Sequence, residues 1–301
     1  MYIISPITRS EDVKPLIESG ANEFYAGILM NWEDRYHMIN SINRRYGKDF
    51  NFKCLHDLKK AITIMNQYGV PLFITMNSPY YVPEQHNFLK NYIKILVREG
   101  VKGFIVSDIW LIDYIKKNYP KIKIHLSTVS TCLNLETFKF FQNRGVDRII
   151  LPRELTITEI KEIKKQIDVE IEAFYSPLDC FNIDGYCGYQ HIGSSKCIND
   201  YINTFVNPQN KSEKLNCSNP QNCRLCQMYD LYFANVSAIK IIGRGDLLST
   251  IKSQVLALAK IINFLKINKG IKKSKFIDFV QREVLNQSNF ACNFEKCLHI
   301  S

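Results

Sequence analysis

No G-x-G-x-x-G follows the first predicted strand, so the glycine turn that cradles a dinucleotide pyrophosphate is missing. H-E-x-x-H is absent, which removes the zinc-protease helix, and so is G-x-S-x-G, which removes the nucleophile elbow of serine hydrolases. No apolar run reaches the ~18 residues of a membrane span, and no charged-then-apolar leader ends in a small-residue cleavage site. The expectation is a cytoplasmic protein that makes no use of a membrane, in a compartment where thiols stay reduced.

Cysteine, by contrast, is plentiful. Of ten, Cys180, Cys187, Cys197, Cys217, Cys223 and Cys226 fall in one polar stretch rich in Asn and Gly. Clustered thiols in a reducing compartment bind metal more often than they pair. Cys223-x2-Cys226 can place two thiolates on one ion or on two corners of a cluster, and Cys180-x6-Cys187 can supply two more. Zinc ribbons use two close pairs, and only one pair is close here, so zinc and an iron–sulfur cluster both stay open. Cys54, Cys197 or Cys217 can replace one of the four. Cys132 reads as a packed core thiol, and the tail pair Cys292 and Cys297 as space-filling.

The rest of the chain alternates two patterns. Near-continuous apolar runs at 1–7, 23–29, 71–77, 103–108, 122–128, 148–153, 169–175 and 237–243 read as buried strands. Amphipathic segments near 10–19, 55–68, 83–99, 109–118, 133–144, 156–166 and 247–265 read as helices, four of them ending on Gly20, Gly69, Gly100 and Gly145. Eight strand–helix units predict an α/β fold, a TIM-like (β/α)8 barrel with its site at the C-terminal ends of the strands. Residues 1–267 form the barrel, 178–234 a cysteine-rich insertion after strand seven, and 268–301 a tail with one helix at Phe276–Leu285. The long connection 31–54 reads as a lid.

The predicted strand ends nominate the site. Arg153 and Lys240 are cations placed for an anionic ligand, although salt bridges are their ordinary use. Glu172 points into the barrel, as an acid–base group or as a partner for Arg153 or Lys240. Tyr25, Asn77, Ser127 and Tyr175 supply hydrogen bonds, with Ser107 and Asp108 at the same ends. His125 reads as a hydrogen-bonded core histidine. The net charge of +10 fits solvated lysine-rich helix faces, or attraction to RNA.

Several stretches together resemble peptidase family U32 across roughly residues 1–250. They are Gly20-Ala21-Asn22-Glu23-Phe24-Tyr25-Ala26-Gly27, Asn51-Phe52, Thr75-Met76-Asn77, His125-Leu126-Ser127-Thr128, the run from Gly145 through Arg153-Glu154-Leu155, and Ile239-Lys240-Ile241-Ile242-Gly243-Arg244. The resemblance implies an oxygen-independent hydroxylation factor carrying a 4Fe–4S cluster on Cys180, Cys187, Cys223 and Cys226. It implies action on tRNA or ribosomal RNA pyrimidines or on a quinone-precursor ring, with prephenate as oxygen donor in some members. The short members work as heterodimers, so a second family chain, a homodimer or a non-catalytic partner role follows as an expectation. The family name itself preserves the alternative of a collagenase-like protease. Ser176-Pro177 stands where many relatives have His-Gly, Ile242 replaces a glutamate, and the stretch between Cys187 and Cys223 is longer than usual.

Overall fold

A computed structural model describes residues 1–32, 35, 42–45, 47–175, 183–186, 201–206, 212–217 and 224–285, with backbone alone for 201–206 and 212–217. Eight parallel strands close into a barrel: β1 (Tyr2–Pro6), β2 (Glu23–Ala26), β3 (Leu72–Met76), β4 (Gly103–Val106), β5 (Lys123–Leu126), β6 (Arg148–Ile150), β7 (Glu170–Tyr175) and β10 (Ala238–Ile241), which returns to β1. Each lies inside a predicted apolar run.

Between them run α1 (Val13–Glu18), α2 (Leu55–Gln67), α3 (Pro83–Arg98), α4 (Ile109–Asn118), α5 (Leu135–Asn143), α6 (Ile157–Lys164), α7 (Met228–Phe233) and α8 (Leu248–Ile267). Local chemistry sets their ends. Thr156 and Glu159 exchange side-chain-to-backbone bonds around the start of α6, a capping box, and Asn134 with Thr137 does the same for α5. The glycines at 20, 69, 100 and 145 all have positive φ, the left-handed geometry that ends a helix.

Alternation along the strands divides the core. Ile3, Phe24, Leu72, Phe104, Ile124, Ile149, Ile171 and Ile239 belong to the large cluster shared with the helices. Ile4, Tyr25, Phe73, Ile105, Ile150 and Ala238 form a smaller one, joined by Phe174. That second set, one residue out of step with the first, fills the barrel.

Helix α8 is long and apolar enough to cross a membrane by length and composition, although three lysines interrupt it. Its Ile251, Val255, Leu258, Ile261 and Leu265 are buried, and it packs against β1 and β10. The tail begins with α9 (Lys273–Phe279), continued by a π-helical turn over Val280–Val284. Phe279 stacks on Phe264 of α8 at 3.7 Å between centroids, so α9 lies on the outside of the barrel. The insertion contains an antiparallel hairpin that the sequence reading missed, β8 (Tyr201–Val206) with β9 (Ser212–Cys217).

Candidate functional site at the mouth of the barrel

Side chains from seven strand ends (β2 to β7 and β10) and two connections surround a cavity of about 200 Å³ at the C-terminal mouth. That is room for roughly seven waters at about 30 Å³ each, so its occupant is small. The lining includes Tyr25, Thr75, Asn77, Ser127, Arg153, Phe174, Asp184, Lys240 and Arg244. The expected lid contributes Asn43, Arg44 and Arg45, and the insertion contributes Asp184 and Gly185. Asn77 Nδ2 donates to Ser127 Oγ at 3.0 Å, while the buried Asn77 Oδ1 has no partner among the described residues.

Lys240 and Glu172 are a buried ion pair. Nζ donates to Glu172 Oε1 at 3.0 Å and lies 4.1 Å over the Tyr25 ring. Burial pulls the ammonium below its ordinary pKa, and the Glu172 carboxylate opposes that shift. Glu172 is therefore the partner of Lys240 rather than of Arg153. Burial pushes the Tyr25 phenol up to about 12, and its hydroxyl donates to the Ile241 carbonyl at 3.0 Å.

Below this pair a second layer of charge closes the barrel. Arg148 donates to both oxygens of Glu23, at 2.5 and 3.0 Å, to Glu170 at 2.8 Å, and to Glu172 at 3.4 Å. Burial alone would lower the guanidinium pKa, but the hydrogen bonds it donates to Glu23 and the charges of Glu172, Glu23 and Glu170 raise it. Burial raises the Glu23 carboxyl. His125 stacks on Phe73 with centroids 4.0 Å apart, and its Nδ1 lies 3.8 Å from Glu172 Oε2. Burial holds its pKa well below the ordinary value, and Arg148 and Lys240 push the same way, so the ring is neutral. It faces a carboxylate and an aromatic ring, a core role and not that of a base activating a serine or cysteine.

The structure distributes the nominated residues unevenly. Arg153 lines the cavity but is occupied: Nη1 donates to Asp184 Oδ1 at 2.6 Å and its backbone N–H to Oδ2 at 3.0 Å. Its guanidinium lies 4.2 Å over Phe174. Tyr175 corrects the sequence reading. Glu172 and Phe174 face inward, so the residue after Phe174 must face the helices, and Tyr175 belongs to the outer cluster. Asp108 likewise turns away, capping α4 by accepting from the Leu111 amide at 2.8 Å.

The residue the sequence reading passed over is Arg244. Only 6 % exposed, it donates to Thr75 Oγ1 at 2.9 Å and to the Asn43 carbonyl at 3.1 Å, with longer contacts to Asn51 Oδ1 and Asn43 Oδ1. Every one of those acceptors is neutral, and no carboxylate among the described residues pairs with it. Burial lowers its pKa to about 10. Gly27 makes the room: a Cβ there would run into the Arg244 guanidinium and the Asn51 side chain. Among the lining residues five cations (Arg44, Arg45, Arg153, Lys240 and Arg244) meet one carboxylate, Asp184. The described lining is thus predominantly cationic.

Of the expected cluster ligands, Cys180, Cys187 and Cys223 lie outside the described residues, as do Cys197, Cys292 and Cys297. Cys226 is 3 % exposed, in a 3₁₀ turn at the start of α7, packed in the apolar outer cluster. Cys217 is described by its backbone at the end of β9. Cys54 is exposed, at the N-terminus of α2, away from the cavity lining. Cys132 is buried as a core thiol, its pKa pushed up to about 12 by burial. No group of three or more His, Cys, Asp or Glu side chains gathers as a metal site among the described residues.

The sequence model of Peptidase family U32 matches residues 8–290. The chain is 26% identical over 187 residues to tRNA hydroxylation protein P1 of Bacillus subtilis, covering 62% of this chain and 40% of that protein. It is 30% identical over 186 residues to tRNA hydroxylation protein P of Escherichia coli, covering 62% and 38%. To the 23S rRNA 5-hydroxycytidine C2501 synthase of Escherichia coli it is 26% identical over 199 residues, covering 66% and 28%. The chain thus matches about two-fifths or less of each of these curated relatives. Among solved structures, the U32 peptidase Mk0906 superposes with a TM-score of 0.56 at 11% identity, over 81% of this chain and 93% of that one. That likeness is one of fold.

Proposed function

The chain belongs to peptidase family U32, and on that premise we propose that it is a hydroxylation factor for a pyrimidine of RNA, using a small anionic co-substrate. The observation that carries the second half is Arg244, a buried cation whose hydrogen-bond partners are all neutral, facing a cavity where cations outnumber carboxylates. Neutral acceptors satisfy the N–H groups of a guanidinium without cancelling its charge, so an arriving carboxylate or phosphate gains the full attraction of a poorly hydrated cation. Asn77 Oδ1 can accept from a hydroxyl on the same molecule, and Ser127 and Thr75 fix its orientation. Glu172 holds Lys240 in place and leaves its charge half-neutralised at the cavity floor.

Cys180, Cys187, Cys223 and Cys226 are proposed to hold a 4Fe–4S cluster, zinc being the alternative. The support is their crowding in one insertion and the dry setting of Cys226, which shields a cluster sulfur from water. Such a cluster supplies electrons, or a site where an oxygen donor is activated. The same insertion carries Asp184 into the cavity lining, so one segment serves both the cysteines and the mouth. The Bacillus subtilis relatives named P1 and P2 support a second family chain as a partner.

The test is nucleoside analysis of RNA from cells lacking this chain. A hydroxylated pyrimidine should disappear, return with the wild-type chain, and fail to return with R244Q. An unchanged nucleoside profile on deletion defeats the proposal. A brown protein with matching iron and sulfide after anaerobic purification supports the cluster, and a colourless zinc-loaded one replaces it.

A further inference from the structure

Outside the cavity, the faces of α3 and α4 hold a file of aromatic rings. His86 and Trp110 lie parallel, centroids 3.4 Å apart at 3°, and Trp110 continues onto Tyr114 at 5.5 Å and 16°. Lys90 places its ammonium 5.8 Å over the Tyr114 ring. The spacing explains the file: His86, Lys90 and Lys94 recur every four residues along α3, and Trp110, Tyr114 and Lys117 share a stripe of α4. At its rim end stand Tyr80, Val82 and Ile109, which are 52%, 38% and 43% exposed. Most such side chains in this protein are buried, so this is a concentrated apolar and aromatic patch.

The charge around it is predominantly positive. Lys90, Lys94 and Lys117 flank the rings. Of the nearby carboxylates, Asp113 is gripped by Arg144 at 2.6 and 2.8 Å, and Asp108 is buried as the α4 cap. Glu84 alone is left on that side. His86 and Tyr114 cover the two faces of Trp110, so the file offers bases its outer ring faces, at His86 and Tyr114, and offers phosphates the bordering ammoniums, the two contacts that single-stranded nucleic acid makes without regard to sequence.

We propose that the His86–Trp110–Tyr114 file is a stacking platform for single-stranded RNA, which it delivers to the barrel mouth. The placement fits that task, because α4 starts two residues after Ser107 and α3 six residues after the cavity-lining Asn77, both at the mouth end of the barrel. This inference rests on the RNA half of the proposed function.

The chain carries an internal reporter. Of its two tryptophans, Trp32 is fully buried against Tyr81 and Phe88, and Trp110 is only partly covered. Titrating the full chain with an oligouridylate should quench tryptophan emission to saturation, with a midpoint that weakens steeply with salt. By anisotropy of labelled RNA, W110A and H86A should weaken binding about tenfold, and W110F far less because a ring face remains. The surface variant K90Q, which leaves packing intact, should lower the salt slope by about one. If wild type binds RNA and all four variants bind it equally well, the platform is wrong and the RNA reading stands. Loss of self-association in W110A with unchanged RNA affinity assigns the face to a protein and also overturns the proposal. No RNA binding by the wild type at low salt removes the RNA reading, and the platform with it.

Discussion

Asp184 grips Arg153 twice, once through the guanidinium and once through the backbone N–H. A residue of the insertion thereby occupies one of the two lining cations that the strand ends offer to a ligand. Its amide is anchored in turn by Glu154 at 2.9 Å, and Gly185 beside it has φ +90 against the Thr128 carbonyl and Thr131.

That contact makes Asp184 a competitor of any anion in the cavity. D184N should cost about 1–3 kcal/mol of stability, the range for a hydrogen bond to a charged group. It should also tighten binding of a small dicarboxylate such as malonate, because the Arg153 charge is no longer compensated by a carboxylate. Calorimetric titration of both proteins checks this, and equal or weaker binding by the variant would show that the carboxylate does not compete.

The Arg244 cradle depends on an absent methyl. G27A should displace the guanidinium, since a Cβ there meets both it and Asn51. The barrel should still fold, with its strands and outer cluster untouched, while malonate affinity falls at least tenfold. Circular dichroism with the same titration separates the two effects. Unchanged affinity in a folded G27A protein would remove Arg244 from the anion site.

The pair in the barrel floor should behave as buried ions do. E172M or K240M alone strands a charge in the interior and should cost about 3–5 kcal/mol, whereas the double variant should recover much of that loss. Urea unfolding of the four proteins gives the coupling. Additive losses would mean that the partners act independently, with Arg148 the more important neighbour of Glu172.

Neutral His125 predicts a pH dependence with a definite sign. Its folded pKa is depressed below the ordinary value of 6.5, so below that pH the unfolded chain takes up a proton that the folded chain refuses. Stability should fall as pH drops through 6.5, by at most about 1.4 kcal/mol per pH unit from this group. Over the same range H125Q should show a flatter profile. Thermal melts between mildly alkaline and mildly acidic buffer decide it, and parallel profiles would mean that folding leaves the pKa of this ring unshifted.

The alternation of strands and helices was legible because the barrel strands are predominantly apolar runs and most of the helices are bounded by a cap or a glycine, all local properties. The inward direction of Glu172 was legible too, from period two, and the same period should have excluded Tyr175. The β8–β9 hairpin was not found because its stretch is polar and its pairing is antiparallel, unlike the barrel strands. Trp110 and His86 looked like ordinary residues of amphipathic helices, and nothing local says that two helices will bring their rings face to face.

By itself, then, the chain determined which segments are strands, which faces are dry, and that the site lies at one end of a barrel. Only the tertiary structure decided which cations remain available there. Arg153 is neutralised by a residue 31 positions away and Lys240 by one 68 positions away, while Arg244 finds a neutral partner 201 positions away. Charge compensation acts through space over a few ångströms, and sequence separation carries no information about those distances.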